Sequence, residues 1–429
     1  MKILLIGGGG REHAMVWKLA QSQRVEKMWC APGNAGIAGE KLARKGELVE
    51  CVGIGAEELP KLLLFAQEQG VDLTVVGPDN PLGMGIVDMF QANGLKIWGP
   101  NQKAAQFESS KVFSQEFMER HGIPTARSGT FSCPDAAKAF ASSVHGRCAV
   151  KADGLALGKG VLICGNEDEA HAAIDQIMVA KAFGDAGAHI VIQEFLEGIE
   201  VSLHALCDGR TTRLFPTSQD HKRALDDDQG LNTGGMGTYS PAPFLSDTEL
   251  QEVADQILGP WLQGCQAEEI DFRGMIYPGV MLTKDGPKVL EFNARFGDPE
   301  TQVYLMRLEN DLVDLFEACV DGTLDQHTLA WSPRSAVCVV MASGGYPESY
   351  EKGKVISGLG DADSLEDVKV FHAGTKLAGE DVVTSGGRVL GVTALGEDLA
   401  SAREKAYAAV KKICFEGAHT RSDIGAKAL

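Results

Sequence analysis

The chain has 429 residues, 44% hydrophobic and 23% charged, which is the composition of a globular protein long enough for several cores at roughly 100–200 residues per domain. Its 40 Lys and Arg against 59 Asp and Glu leave a formal net charge of −19. That balance argues against sequence-independent nucleic-acid binding, which needs clustered cations, but leaves room for a small anionic substrate in a local field.

"MKILLIGGGG" begins as a strand and runs straight into glycines, so it reads as a first core strand and not as a signal peptide. Up to residue 100, "KILLIGG", "VEKMWCAPGN", "DLTVVGP" and "LKIWGP" are predicted strands. "EHAMVWKLAQS" and "ELPKLLLFAQEQG" between them have helical spacing. Such alternation predicts a parallel α/β sheet, with ligands at the carboxyl ends of its strands. The ten cysteines include no C-x-x-C pair and sit mostly in apolar runs, so reduced thiols in the cytoplasm are expected. No stretch approaches the ~20 apolar residues of a membrane span.

The loop Gly7–His13, "GGGGREH", follows the first strand and opens a helix, where backbone N–H groups can approach a phosphate. A dinucleotide fingerprint would need a third glycine where Glu12 stands, and an acidic residue where the second strand ends at Cys30-Ala31-Pro32. A plain tight turn and a phosphate site for another ligand both remain open. A helix is predicted from Ser110 to His121, ended by Gly122 and Pro124. From about 125 to 200 a smaller unit follows, with strands in "CAVKADG", "KGVLICG" and "HIVIQEFLEG" and a helix near 167–180. "VKADGLALGKGV" places Lys151 on a strand leading into a glycine-rich hairpin with Lys159. This is not a Walker A loop; a strand lysine with a glycine flap is the arrangement protein kinases use over phosphates.

Residues to about 327 form a longer mixed segment, in which the acidic run "LDDDQ" at Leu225–Gln229 is predicted to be a loop. The last hundred residues hold the strands "SAVCVVMASGGYP" and "GRVLGVTALG" and the helix "SAREKAYAAVKKI". The richest stretch is "KVLEFNARFGDPETQ", Lys288–Gln302. A buried strand there ends in Glu291, Asn293, Arg295, Asp298 and Glu300. Residues two apart on a strand share a face, so Glu291 and Asn293 can offer oxygens to one ion. Arg295 offers a planar fork to a carboxylate or acyl phosphate, and Asp298 and Glu300 can hold an ammonium. The plainer reading is a strand end held by an Arg295–Asp298 ion pair.

Taken in order, "GGGGREHA", "APGNAG", "VKADGLALGKGV", "TSQDHKR", "NTGGMGTYSPAP", "EFNARFGDPETQ" and "TSGGRVLGVTALG" resemble the ATP-grasp ligases, and within them the phosphoribosylamine–glycine ligase family. The resemblance covers essentially the whole chain. Departures from the family pattern stand at Gly8 (usually Asn), Leu157 (Ala), Gln193 (acidic) and Thr420 (aromatic).

The resemblance implies an N-terminal α/β substrate domain over 1–103. An ATP-grasp domain over 104–327 follows, with a mobile lid at about 124–193, and then a mixed α/β C-terminal domain over 328–429. It implies ATP-dependent joining of glycine to 5-phosphoribosylamine through glycyl phosphate, with Mg²⁺ or Mn²⁺. Another ATP-grasp carboxylate–amine ligase is the alternative. Lys111, Lys151, Gly154, Gly158, Lys159 and Gly160 would hold the phosphates. Glu194, Phe195 and Leu196 would read adenine and Glu200 the ribose, while Glu291 and Asn293 would hold the metal. Arg295, Asp298 and Asp220 would serve glycine and catalysis. Gly8, Gly9, Gly10, Asn34, Lys376 and Arg388 would hold the phosphoribosyl group. Neither nucleic acid nor membrane is an expected partner, and a monomer or weak homodimer is expected.

Overall fold

The computed structural model describes residues 1–154 and 160–429. Strands β1 (Lys2–Gly7), β2 (Lys27–Pro32), β3 (Glu50–Cys51), β4 (Leu73–Val76) and β5 (Ile97–Trp98) form one parallel sheet in the order β3-β2-β1-β4-β5. Alternate residues of β1 enter two cores, as the two-residue period of a strand requires. Ile3 and Leu5 pack with Ala14, Met15 and Val16 of helix α1 (Gly10–Ala20). Leu4 and Ile6 pack with Leu59, Leu62 and Ala66 of helix α2 (Leu59–Gln69). A strand buried on both faces reads as a continuous apolar run, which is why "KILLIG" shows no alternation.

The helix predicted from Ser110 spans Lys111–Arg120, and Ser110 is its N-cap, accepting a 3.1 Å bond from Phe113 N. The next unit is a four-stranded antiparallel sheet of β6 (Ser128–Phe131), β7 (Cys148–Ala152), β8 (Val161–Cys164) and β9 (Ile190–Glu194), in the order β6-β9-β7-β8. Its own core of Val150, Ile174, Ile177, Ile190 and Ile192 lies under the helices Pro134–Ser143 and Glu167–Ile174. The second of these runs on through a π-helical turn, Asp175–Val179.

The segment read as merely mixed is well organised. Strands β10 (Ile199–Ser202), β11 (Ala205–Asp208) and β12 (Thr212–Leu214) join β17 (Arg273–Thr283) and β18 (Gly286–Asn293) in an antiparallel sheet. The helix Asp247–Ala267, opened by a Ser246–Glu249 capping box, contributes Trp261 to an aromatic core with Phe107, Phe117, Phe272 and Phe292.

The last sheet has the order β13-β16-β19-β23-β20, from β13 (Gln219–Asp220), β16 (Gly237–Ser240), β19 (Ser335–Ala342), β20 (Val368–His372) and β23 (Arg388–Gly396). Two of its strands, β13 and β16, precede residue 328, so the middle of the chain crosses into the C-terminal sheet. Between them, β14 (Arg223–Leu225) and β15 (Gln229–Asn232) make a hairpin whose tip is the acidic run; a second hairpin joins β21 (Thr375–Ala378) to β22 (Asp381–Thr384). All ten cysteines are free thiols, seven of them buried.

Candidate active site

A cavity of about 900 Å³ lies between the lid sheet, the strand end of β18 and the loop from Asp220 to Gly234. Pairing of β17 with β18 shifts at Gly279/Val280, leaving Leu290 unpaired as a bulge. Bulges re-aim side chains beside functional sites. Here the freed Leu290 carbonyl accepts a 2.8 Å bond from Lys151 Nζ of the lid. Glu291, next in sequence, opens to the cavity, Phe292 is 2% exposed in the aromatic core, and Asn293 is 9% exposed. Asn293 Nδ2 donates to Tyr277 O at 3.3 Å, and its Oδ1 accepts from Arg295 at 3.1 Å.

Electrostatics favour an ionised Glu291. The protein walls around it work against its charge, although its oxygens open to the cavity; Lys151, Lys111, Lys222 and Arg295 outweigh them and hold the carboxyl below its usual value. Burial pushes Lys151 down to about 8, opposed by Glu291. Lys111 Nζ donates to Gly154 O at 3.0 Å, at the mouth of the glycine flap. Gly160 O accepts from Ala152 N at 2.8 Å, while Gly158 and Lys159 lie outside the described residues. Among the described residues no cluster of three or more His, Cys, Asp or Glu could hold a metal. The donor set offered is two hard oxygens, Glu291 and Asn293. That fits a Mg²⁺-type ion completed by water and phosphate.

The Arg295–Asp298 pair weighed from sequence gives way to two other pairs. Arg295 takes Glu108 at 2.8 Å. Asp298 takes Arg388, with Oδ2 at 3.1 Å from Nη2, and Arg388 also donates to Asp298 O at 2.6 Å and Gly234 O at 2.7 Å. Arg388 therefore ties the strand end to the 220–234 loop. Gly235, which follows that loop, has φ +114°, and a Cβ there would lie 2.7 Å from Asp220 Oδ1 and 2.6 Å from Pro299. The motif "NTGGMG" needs a glycine at this position for both reasons.

Deeper in the cavity is a charge cluster that the sequence stretch "TSQDHKR" signalled only in part. Lys222 Nζ lies 3.0 Å from Asp220 Oδ2, and Lys222 was not among the sequence candidates. Glu300, 1% exposed, accepts from Tyr277 OH at 2.7 Å and from Ser202 Oγ at 3.2 Å. Burial works against its charge, but Lys222, His204 and the tyrosine hydroxyl hold its carboxyl low. Burial, with Glu300 as a like charge, pushes Asp220 up to about 7 against the pull of Lys222. Glu200 is raised as well, by the surrounding protein first and by Glu291 and Glu300 next. Tyr277, Glu108 and Ser202 carried no local sequence signal, because each acts through a partner remote in the chain.

The remaining candidates divide. Glu194, Phe195 and Leu196 line the cavity at the end of β9. Glu194 Oε1 accepts from Arg127 N at 2.9 Å, and Arg147 lies 4.6 Å from the Phe195 ring centre. Gln193, where the family pattern is acidic, donates to Gln115 Oε1 at 2.8 Å. Gly8, Gly9 and Gly10 stand on the far side of Asp298: a Cβ on Gly10 would lie 3.4 Å from Asp298 Oδ1. Gly9 N donates to Glu12 Oε2 at 2.7 Å, so one of the free N–H groups at this helix start is already taken. Asn34 Nδ2 donates to Gly8 O at 2.9 Å and to His372 O at 2.8 Å, joining the first sheet to the last. Lys376 sits on the exposed face of β21, away from the cavity lining.

A nucleotide-sized cavity between an antiparallel lid sheet and a second antiparallel sheet, with lysines on the lid side and a carboxylate–amide pair opposite, defines an ATP-grasp protein. The biotin carboxylase domain of Hydrogenobacter thermophilus 2-oxoglutarate carboxylase shares the fold at TM-score 0.74 and 15% identity, over 98% of this chain and 91% of that one. Three phosphoribosylglycinamide synthetase models match in succession: the N domain over 1–108, the ATP-grasp (A) domain over 109–301 and the C domain over 336–427. The chain belongs to the phosphoribosylglycinamide synthetase family. Phosphoribosylamine–glycine ligases of Salmonella typhimurium and Neisseria meningitidis serogroup A are each 49% identical over 100% of this chain and 99% and 100% of theirs. The crystal structure of phosphoribosylamine–glycine ligase from Thermotoga maritima matches at TM-score 0.84 and 32% identity, over 99% of this chain and 100% of that one.

Proposed function

We propose that this protein joins glycine to 5-phosphoribosylamine with ATP, giving glycinamide ribonucleotide, ADP and phosphate in purine biosynthesis. The single observation that carries this reading is the bulged strand end. It sets Glu291 and Asn293 opposite Lys151 and beside the Asp220–Lys222–Glu300 cluster, so phosphates and an amino acid can meet in one cavity.

Lys111 and Lys151 hold the ATP phosphates together with Gly154 and Gly160, and the segment Glu194–Leu196 takes the adenine. Glu200 takes the ribose. Glu291 and Asn293 would hold Mg²⁺ or Mn²⁺, which supplies charge neutralisation to the phosphates. Arg295, fixed by Glu108, faces the carboxylate of glycine. Asp220 and Glu300 face its ammonium, and Asp298 with Arg388 closes that end.

The glycine carboxylate attacks the γ-phosphorus, the bond to ADP breaks, and the amine of phosphoribosylamine then displaces phosphate from glycyl phosphate. The residues position reactants and stabilise charge, and form no covalent bond to substrate. A closing lid over about 124–193 keeps water from the acyl phosphate. The phosphoribosyl group lies at the junction of Gly8–Gly10, Asn34 and the C-terminal unit, with Arg388 as the candidate for its phosphate and Lys376, outside the cavity lining, as the weaker one. We place the three units at 1–103, 104–327 and 328–429, in a cytoplasmic enzyme that is a monomer or weak homodimer. None of the helices among the described residues is long and apolar enough to cross a membrane.

The test is phosphate release with ATP, glycine and freshly made phosphoribosylamine, omitting each in turn. Release that requires all three is expected. Release that is indifferent to replacing glycine by other amino acids would instead assign another carboxylate–amine ligation.

A further inference from the structure

The motif "HTRSDIG" near the C-terminus has no part in the reading above, yet its residues are among the most engaged in the molecule. Arg421 is 0% exposed. Its guanidinium donates to Asp423 at 2.7 and 2.6 Å, to Arg223 O at 3.0 Å and to Asp228 Oδ1 at 3.1 Å. Ser422 N donates to Asp226 Oδ1 at 2.8 Å, and Asp227 N donates to Asp423 Oδ2 at 3.0 Å. His419 Nε2 meets Ala224 O at 2.7 Å, and Lys427 pairs with Asp228. Apart from Asp423, which lies in the same segment, every one of these partners of residues 419–427 lies on the β14–β15 hairpin or its acidic tip.

The segment also reaches the hairpin's base. Gly425 N donates to His221 Nε2 at 3.4 Å, and His221 Nδ1 lies 3.0 Å from Gly237 O. Burial pushes His221 down to about 4, so the ring is neutral, with Nδ1–H donating and Nε2 accepting, as assigned from these partners. His221 stands between Asp220 and Lys222, and the hairpin base closes where Thr233 N donates to Lys222 O at 2.8 Å. Lys222, Asn232 and Thr233 line the cavity. The segment itself is anchored elsewhere. Ile424 is buried with Tyr239 and Val337, and Tyr407 OH and Arg403 bind the backbone of residues 421–424.

We infer that residues 419–427 are a positioning strap: the C-terminal segment grips the 222–233 hairpin, with Lys427 and Asp228 themselves reaching the cavity edge, and so holds Lys222, Asn232 and Thr233 in the wall of the reaction cavity. The acidic tip, Asp226–Asp228, is the handle by which it is gripped. A two-stranded hairpin is marginal on its own in water, so this one depends on such contacts. The inference rests on the proposed ligase reaction for its kinetic consequence and on geometry alone for its mechanical one.

Two readouts separate these. In Arg421→Met, amide hydrogen exchange over 222–233 rises at least about tenfold, while the strands over 273–293 are unchanged. In the same variant kcat for phosphate release falls about tenfold or more, with KM for ATP within about twofold, because a small displacement of a reacting group costs rate more than nucleotide affinity. Arg421→Lys keeps the cation but not the three-nitrogen fork, so it recovers only part of that rate. If Arg421→Met fails to fold, Asp226→Ala, which releases Ser422 at the partly exposed tip, gives the same pattern with smaller amplitude. Unchanged exchange over 222–233 in a folded variant, or kcat within about twofold of the parent, overturns the strap. If the parent shows no glycine-dependent phosphate release, the proposed reaction fails, and the exchange measurement alone decides the strap.

Discussion

Glu291→Gln keeps the shape of the side chain and removes one charge from the strand end. A neutral amide oxygen is a poorer ligand for a hard cation, and Lys151 and Lys111 lose the carboxylate that faces them. We expect kcat to fall on the order of 10²–10³, as when one preorganised electrostatic group is removed, with little change in melting temperature. Near-normal turnover at low millimolar Mg²⁺ would show that Glu291 does not hold the metal.

Asp220 carries a pH dependence whose sign can be worked out. An unfolded aspartate titrates near ~3.9, and in the fold Asp220 is pushed up to about 7. Between these values the folded protein binds more protons than the unfolded one, so this group's contribution to stability falls as pH rises through that window. Asp220→Asn should therefore gain on the parent in melting temperature from about pH 4 to about pH 7. A protonated Asp220 also holds an ammonium poorly, so KM for glycine should climb as pH drops below about 7. A flat glycine KM from pH 6 to 8, measured at saturating ATP, would remove Asp220 from the glycine site.

At the scale of elements, the helix that starts at Lys111 is where fold and site are most tightly coupled. Ser110 caps it and also donates to Asp153 Oδ1 at 3.1 Å, beside the flap. Ser110→Ala should cost about 1 kcal/mol of stability, the usual loss for a cap. Because Lys111 is the first residue of that helix, fraying there should raise KM for ATP while KM for glycine stays put. Denaturant unfolding and steady-state kinetics check the two halves, and an unaltered KM for ATP in the destabilised variant would uncouple Lys111 from the nucleotide.

For the molecule as a whole, Asn34 is the test of how the first and last units share a substrate. Its amide spans Gly8 O and His372 O, 338 positions apart from the second, and its Oδ1 accepts from Ile37 N at 2.9 Å. Nearby, His13 lies 2.9 Å from Glu40, and Lys369 lies 2.8 Å from the same carboxylate, so charge as well as amide bonding crosses this junction. Asn34→Ala leaves buried carbonyls unpaired, at about 1–3 kcal/mol. It should raise KM for phosphoribosylamine several-fold with ATP binding intact. An equal loss of ATP affinity would mean that the junction serves folding and not the sugar phosphate.

How much of this was legible beforehand follows from the range of the interactions involved. Short-range rules placed β1, β2, β4 and β5, the helix from Ser110, the strands β7, β8 and β9 and the strand ending in Glu291, because periodicity and glycine or proline stops act within a few residues; they missed the short strands β3 and β6. The same rules put Glu291 and Asn293 on one face and Phe292 in the core, where it is 2% exposed. They were silent where a residue's partner is distant in sequence. Glu108 for Arg295, Asp298 for Arg388, Tyr277 for Glu300 and the Leu290 carbonyl for Lys151 are choices between chemically equal options, and only packing decides them. The acidic run shows the division most plainly. Its composition determined that it would be a polar loop, but three carboxylates look alike to solvent and to a cation. That they would meet Arg421, Ser422 and Lys427 was decided by the crossing of β13 and β16 into the C-terminal sheet, which brings the middle of the chain to its C-terminal segment.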